Sequence, residues 1–462
     1  MLSLTFLDRQ HSIAKPGYSR WLVPPAALSI HLCIGQIYAY SVFNEPMTRI
    51  LGISASSEGD WALTTLGWIF SIALFMLGAS AALFGKWLER VGPRKAMFTS
   101  AICFGCGFLV AAFGVYVHNI WIIYFGHGVL GGIGLGLGYI SPVSTLIKWF
   151  PDRPGLATGM AIMGFGGGAM IASPLSVRLM KYFSTANSVG VAETFVAMGL
   201  IYFMVMMYGV FTVRVPQDGW KPEGFEPATA KSNAMITTAQ VDADTAIQTP
   251  QFWLIFAVLM LNVTAGIGVL GQASVMIQEM FSVDVVGESN AVTAAAAAGF
   301  VGLLSLFNMI GRFFWSSTSD RIGRKNTYMI FFLLGAVLYV AIPTFGNMGN
   351  TTLFIATFCI IISMYGGGFA TVPAYLKDMF GVMQVGAIHG RLLVAWSLAA
   401  LFGPSLINYL RAYQIETVGL PPAQAYSFTM YIMAALLIIG FVSNALVKPV
   451  DAKYHHKKSD LI

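Results

Sequence analysis

The amino-acid sequence predicts an all-α polytopic membrane protein, in which twelve transmembrane helices form two six-helix bundles in a pseudo-twofold arrangement. Three observations predict this fold. The chain of 462 residues is 56% hydrophobic and only 10% charged, whereas soluble domains carry about 25% charged residues. Twelve apolar segments are long enough to span a bilayer. Short motifs also recur at one constant spacing in the two halves of the chain.

The apolar segments divide the chain into two halves of six spans each. The predicted spans are residues 21–44, 61–85, 96–117, 121–147, 156–180, 191–213, 251–280, 291–317, 327–346, 351–376, 386–410 and 425–447. The resulting domains are an N-terminal tail at 1–20, an N-terminal bundle at 21–213, a linker at 214–250, a C-terminal bundle at 251–447 and a C-terminal tail at 448–462. The linker begins with proline and glycine and continues as a polar stretch, which is typical of a tether.

The basic residues predict the orientation. The tails and the loops on one side hold 21 of the 26 lysines and arginines. Since cytoplasmic loops carry the excess of Lys and Arg, both termini are predicted to be cytoplasmic. The first twenty residues contain Asp8, Arg9, Lys15 and Arg20 and lack the pattern of a signal peptide. We therefore expect a multi-pass protein of the inner (cytoplasmic) or plasma membrane.

The two halves repeat with an offset of 231 residues. This spacing separates Glu89–Gly92 from Asp320–Gly323, Pro142 from Pro373, and Gly155 from Gly386. One offset across three helix pairs predicts bundles related by an axis along the membrane normal, with a substrate site near the midplane between them.

Arg312 breaks this symmetry, because the same offset places Ala81 opposite it. It stands eight residues before Asp320, which corresponds to roughly 12 Å along a helix. An arginine at that depth normally faces a bundle interior or a wet cavity and has a partner. Asn308 lies on the same helix face, and no acid lies at mid-membrane depth. The sequence favours an anion-binding site in a pore over a structural ion pair.

Two histidines and a glycine run also lie within predicted spans. His31 and His127 are titratable, so either could carry a coupling proton, although a packing role is the alternative for each. The run Gly164–Gly168 predicts close helix packing.

The motif Gly85–Lys95 resembles the signature between helices 2 and 3 of the major facilitator superfamily, and Ser319–Lys325 resembles its second copy. The chain departs from the family pattern in having Glu89 where Asp is usual and Pro93 where a basic residue is usual. The resemblance implies two gates on the cytoplasmic side, in which acidic and basic side chains pair in one state and separate in the other. The implied gating residues are Gly85, Glu89, Arg90, Gly92, Arg94, Asp320, Arg321, Gly323 and Arg324.

Within that superfamily the chain resembles the oxalate/formate antiporter family and the related monocarboxylate transporters. The resemblance rests on Gly35–Ser41, Gly134–Tyr139, Trp149–Gly159, Pro216–Pro222, and Asn308 with Gly311-Arg312. It implies that Arg312 holds a substrate carboxylate within aromatic side chains. The implied substrate-binding residues are Arg312, Asn308, Tyr139, Tyr365, Trp396, Tyr38 and Gln36.

One departure predicts the charge of the substrate. Oxalate-type members carry a lysine in helix 11 at the position where this chain has Trp396. A dianion in a low-dielectric site needs more compensation than one cation supplies. The sequence therefore favours a secondary active transporter of short monocarboxylates such as lactate, pyruvate or formate, driven by proton symport or anion exchange. The alternatives are an oxalate/formate-type dicarboxylate antiporter and a non-transporting nutrient receptor, and the intact gate motifs argue against the receptor.

Other classes lack support in the sequence. No paired carboxylates, nucleophile motif or nucleotide-binding loop indicates an enzyme or a cofactor. Cys103 and Cys106 lack the second pair that a metal site needs. The basic residues lie in short loops, so nucleic acid is not an expected partner. We expect a monomer that interacts with the lipid bilayer, a small carboxylate and, in the symport alternative, protons.

Overall fold

The computed structural model describes residues 4–225 and 235–456, apart from the side chains of Leu4, Ala294 and Ala295. Parts of the predicted tails and linker, at 1–3, 226–234 and 457–462, lie outside the described residues. Within the described ranges, twelve helices are long and apolar enough to cross a membrane, which confirms the predicted fold class. The helices are α1 Arg20–Met47, α2 Leu63–Val91, α3 Pro93–Tyr116, α4 Ile120–Trp149, α5 Pro154–Phe183, α6 Val191–Thr212, α7 Pro250–Met280, α8 Ala296–Ile322, α9 Arg324–Asn347, α10 Thr351–Phe380, α11 Val385–Thr417 and α12 Tyr426–Ala445. Because the number of crossings is even, both described ends lie on one face, here named the terminal face.

The helices α2 and α8 extend beyond the predicted membrane spans and continue through the gate motifs. The predicted spans stopped at residues 85 and 317, whereas the helices end at Val91 and Ile322. Gly92 and Gly323 then adopt φ values of 86° and 87°. This backbone conformation favours glycine and ends a helix. The polar residues before each glycine are compatible with a helix, so the helix continues up to the glycine. The acids Glu89 and Asp320 therefore lie on rigid helix ends.

The two halves meet mainly where α2 packs against α11 and α5 packs against α8. Both crossings need residues without side chains. A Cβ on Gly390 would collide with the carbonyl of Ala81, and a Cβ on Gly159 would collide with Ser316 Oγ. Gly159 and Gly390 are again 231 positions apart, so the repeat places a glycine at each close crossing of the halves.

The described part of the linker contacts both halves and is more than a tether. Its backbone follows the end of α10, with Thr237 N donating to the Asp378 carbonyl at 2.8 Å and Val241 N donating to the Phe380 carbonyl at 2.9 Å. A short helix follows at Ala243–Ala246. Asp244 in that helix pairs with Lys86 of α2 and, at 2.6 Å, with Arg391 of α11. One linker carboxylate thus joins cations from the two halves at the terminal face.

Candidate functional site

Arg312 lies on α8, completely buried where α8 meets α5. Its Nε donates to Asn308 Oδ1 at 3.1 Å, one turn earlier in the same helix. Its Nη1 makes a long contact of 3.5 Å with the Ile162 carbonyl of α5, in the other half. Nη2 has no hydrogen-bond partner among the described residues. Both partners of the guanidinium are neutral, so this arrangement argues against a structural ion pair.

Two phenylalanines that were not predicted as site residues lie beside the guanidinium. Its central carbon is 5.6 Å from the ring centroid of Phe165 on α5 and 5.2 Å from that of Phe369 on α10. A cation over an aromatic face is stabilised by the ring quadrupole, by about 2 kcal/mol when the pair is desolvated. The rings come from different halves, so Arg312 is held between the two bundles.

The four predicted aromatic residues surround these phenylalanines. Tyr38 and Tyr139 contact Phe165 with centroid distances of 5.1 and 5.2 Å. Trp396 contacts both phenylalanines, and Tyr365 contacts Phe369 at 5.6 Å. The hydroxyls of Tyr38 and Tyr365 are 3.5 Å apart across the two halves. We name this set the arginine cluster: Arg312, Asn308, Tyr38, Tyr139, Phe165, Tyr365, Phe369 and Trp396.

The arginine cluster contains three buried donors that make no hydrogen bond of normal geometry among the described residues: Arg312 Nη2, Tyr139 Oη and Trp396 Nε1. All three side chains neighbour Phe165. Leaving a buried donor unsatisfied costs about 1–3 kcal/mol. A carboxylate offers two oxygens with about four lone-pair sites and no donor. The chemistry of the cluster therefore suits a small anion.

The remaining predicted pore residues lie at different places. Gln36 is buried in a 3-10 segment of α1, Gly35–Phe43, and both atoms of its amide lack partners in the described structure. Both ring nitrogens of His31 face backbone carbonyls, at 2.6 Å from Ala161 O and 3.2 Å from Tyr139 O. His127 stacks on Tyr40 at 4.3 Å, inside the N-terminal half. His31 therefore borders the arginine cluster, whereas the described ring contacts of His127 are with residues outside it.

The two predicted gate acids connect the halves at the terminal face, but their partners across the interface differ from the predicted side-chain cations. Asp320 accepts hydrogen bonds from the backbone N–H groups of Gly155 and Leu156, at 2.9 and 2.8 Å. Glu89 accepts one from the Gly386 N–H at 3.0 Å. These amides lie in the first turns of α5 and α11, where N–H groups lack intrahelical acceptors and the helix dipole favours negative charge. The two contacts are counterparts under the repeat of 231 residues.

Cations of the gate motifs act mainly within their own half. Arg324 pairs with Asp320 at 2.5 Å and with Asp378 at 3.0 Å. Arg94 donates to the carbonyls of Phe6 and His11, so it fixes the N-terminal segment. Arg90 and Arg321 are exposed. Of the motif glycines, Gly85 packs against Ala387 of the other half, whereas Gly92 and Gly323 form the helix breaks described above.

Comparisons with known proteins agree with this architecture. A sequence profile of the Major Facilitator Superfamily matches residues 26–404 and residues 296–461. The oxalate:formate antiporter of Oxalobacter formigenes is 26% identical over 84% of this chain and 84% of its own length. Apicoplast pyruvate carrier 1 of Toxoplasma gondii is 21% identical over 92% of this chain and 88% of its own length.

A solved structure shares the fold at low sequence identity. The fucose:proton symporter of Escherichia coli superimposes with a TM-score of 0.67 and 12% identity. The match covers 94% of this chain and 100% of that chain.

Proposed function

The chain belongs to the major facilitator superfamily, and we propose that it is a secondary active transporter of short monocarboxylates such as lactate, pyruvate or formate. The observation that carries this proposal is the arginine cluster, in which one buried cation and two further unpartnered donors face no carboxylate partner. A guanidinium binds a carboxylate through a planar fork of N–H groups. Arg312 and Asn308 are the primary substrate contacts, and Tyr38, Tyr139, Tyr365 and Trp396 enclose the substrate.

The charge of the cluster favours a monoanion. Among the described residues, Arg312 is the cation of the cluster, and the resemblance to oxalate-type members implies that Trp396 stands where they carry a second cation. A monocarboxylate bound to Arg312 forms a neutral pair, whereas a dianion retains a buried negative charge that is costly without a partner. The indole of Trp396 also supplies an apolar surface for the carbon chain of a short acid.

Transport proceeds by alternating access, in which the two halves rock around the arginine cluster. The terminal face is the cytoplasmic face in this proposal, because it carries the predicted excess of basic residues. The bonds of Asp320 to α5 and of Glu89 to α11 hold that face closed. When they break, α5 separates from α8 and α2 separates from α11, which opens a path from the arginine cluster to the cytoplasm.

A second candidate is a dicarboxylate antiporter, because the oxalate:formate antiporter is among the relatives. Both candidates use the same fold and Arg312. They differ in whether a doubly charged substrate is tolerated next to Trp396. The leading proposal has two versions that differ in the energy source, proton symport and anion exchange. His31 and His127 are the candidate proton carriers from the sequence, with a packing role as the alternative for each.

The proposal is tested by uptake of labelled lactate, pyruvate and formate into proteoliposomes. We expect saturable uptake by the unmodified protein and none by Arg312→Ala. The matched control is Arg178→Ala, which removes an exposed arginine from α5, outside the arginine cluster. Saturable uptake by Arg312→Ala at the normal rate would contradict the proposal, as would an equal loss in the control.

A further inference from the structure

Three histidines are buried in the transmembrane helices: His31, His127 and His389. Proton symport needs a group that titrates near neutral pH, and imidazole is the side chain that does so without perturbation. The surroundings of that group must also differ between the two conformations of the transporter. A bound proton shifts the equilibrium between these conformations only if its affinity for them differs. The three histidines differ in this second requirement.

His31 and His127 make their described contacts inside the N-terminal half. The ring of His31 faces carbonyls of α4 and α5. The ring of His127 packs against Tyr40, Phe108 and Phe195, on α1, α3 and α6. If each half moves as a unit, these hydrogen-bond and ring contacts stay the same when the halves rock. His31 also lies near Arg312 of the other half, but both of its ring nitrogens keep their carbonyl contacts.

His389 instead lies at the boundary between the halves. It is 1% exposed, and neither ring nitrogen has a hydrogen-bond partner among the described residues. Its ring is 5.7 Å from that of Tyr139, which belongs to α4 of the other half. Along α11, His389 lies between Gly386, which binds the gate acid Glu89, and Trp396 of the arginine cluster. In the alternating-access motion proposed above, opening of the terminal face would separate His389 from Tyr139, because the two residues belong to different halves.

The ionisable groups around His389 leave it available for a proton. Tyr139 contacts its ring directly, and His31 also contacts Tyr139, with a centroid distance of 5.3 Å. The charged groups nearest to this end of α11 on the packed elements are engaged with each other. These pairs are Glu89 with Lys148, Lys86 and Arg391 with Asp244, and Asp378 with Arg324 and Lys377. On α7 and α12, Glu279 and Tyr426 are bound to Arg411 near the opposite face, and Tyr431 of α12 is exposed.

We propose that His389 binds the proton that is transported together with the carboxylate, an inference that rests on the proposed monocarboxylate function. The proton binds to a ring nitrogen while the path from the side opposite the terminal face is open. It leaves to the cytoplasm after the halves have rocked. His389 contacts Tyr139 of the arginine cluster, so a second positive charge there is unfavourable until a carboxylate neutralises the arginine. Substrate and proton therefore strengthen each other's binding, and by linkage the coupling is equal in both directions.

The test uses proteoliposomes that are acidic outside, with labelled lactate and with Arg312→Ala vesicles to subtract passive entry of the neutral acid. With one proton per carboxylate, a pH difference of one unit supports roughly tenfold accumulation. We expect the unmodified protein to approach this value. The KM for lactate should rise as the external pH increases. His389→Gln should lose both the accumulation and the pH dependence of KM, and His389→Asn should behave alike.

His127→Gln is the matched comparison, because it removes an equally buried imidazole within one half. It should keep the response to the gradient. Exchange of labelled against unlabelled lactate without a gradient identifies the variants that are folded. Full accumulation by His389→Gln overturns the inference, and so does a loss that is confined to His127→Gln. If the unmodified protein exchanges lactate but does not accumulate it under the pH gradient, the proton assignment fails and the carboxylate function stands. If it shows no Arg312-dependent uptake, the proposed function fails as well.

Discussion

The substitution Asp320→Asn should open the terminal face. Asp320 accepts the N–H groups of Gly155 and Leu156 across the two halves. Asparagine keeps the size and one acceptor oxygen but loses the charge. A hydrogen bond to a charged group contributes about 1.5–3 kcal/mol, against about 0.5–1.5 kcal/mol for a neutral pair. Asp320 accepts two such bonds, and its side chain is 14% exposed. We therefore expect the substitution to destabilise the closed terminal face by about 1–2 kcal/mol, which shifts the conformational equilibrium towards the open state by a factor of roughly 5–30.

Glu89→Gln should have a smaller effect in the same direction. Glu89 accepts only one N–H group across the halves, from Gly386. The two contacts lie in separate helix pairs and share no partner, so their effects should add within about 0.5 kcal/mol.

The assay is the rate at which a membrane-impermeant maleimide, applied from the terminal face, labels a cysteine at position 316. Ser316 is completely buried where α8 meets α5, so Ser316→Cys, in a protein without its four native cysteines, becomes reachable only when these helices separate. Asp320→Asn should raise the labelling rate by the factor above. The control Asp218→Asn removes an exposed acid of the linker that is 3.8 Å from Arg9 of the N-terminal tail. An unchanged rate in Asp320→Asn, or an equal increase in the control, would refute the gate assignment.

Three further predictions concern the cluster and the linker. Arg312→Lys should lower kcat/KM for uptake by about 10- to 100-fold, because an ammonium lacks the planar fork and loses about 1.5–3 kcal/mol of charge-assisted hydrogen bonding. Trp396→Lys should shift competition towards dicarboxylates, because it supplies the second cation, and a lysine variant that still rejects oxalate would contradict this. Asp244→Asn should raise the labelling rate of Ser316→Cys by up to about fivefold at low salt, since exposed ion pairs contribute about 0.2–1 kcal/mol. The increase should vanish near 1 M salt, where the Debye length is about 3 Å. Hydrogen bonds from Lys86 and Arg391 hold the pKa of Asp244 below its ordinary value, so the bridge should persist at mildly acidic pH and be lost only as the pH falls through that lowered pKa.

The sequence predicted the features that depend on local composition and spacing. The twelve helices follow from apolar length, and the relation of the halves follows from the constant offset. Arg312 was evident because a cation inside an apolar helix is rare. Phe165 was missed because its glycine-rich surroundings predicted packing, and its contact with Arg312 depends on how α5 crosses α8. A signal for it was present, since Phe165 stands 231 positions before Trp396.

The partners of the predicted residues were harder to infer than the residues themselves. Glu89 and Asp320 were identified as gate acids, but side-chain patterns do not reveal backbone N–H groups that a distant helix end leaves free. Asp244 lies in a polar linker, and its pairing with two halves depends on the path of that segment. His389 stands near the predicted end of a span, next to the charged Arg391, so its burial follows only from the packing of α11 against α4.

The account's central claim is that one buried cation selects a singly charged carboxylate. The most direct measurement is competition for uptake of labelled lactate by unlabelled lactate, pyruvate, formate and oxalate, at a pH where oxalate is fully ionised. We expect the three monocarboxylates to inhibit uptake at similar concentrations and oxalate to inhibit it poorly. Tighter inhibition by oxalate than by all three monocarboxylates would contradict the claim and favour a dicarboxylate antiporter.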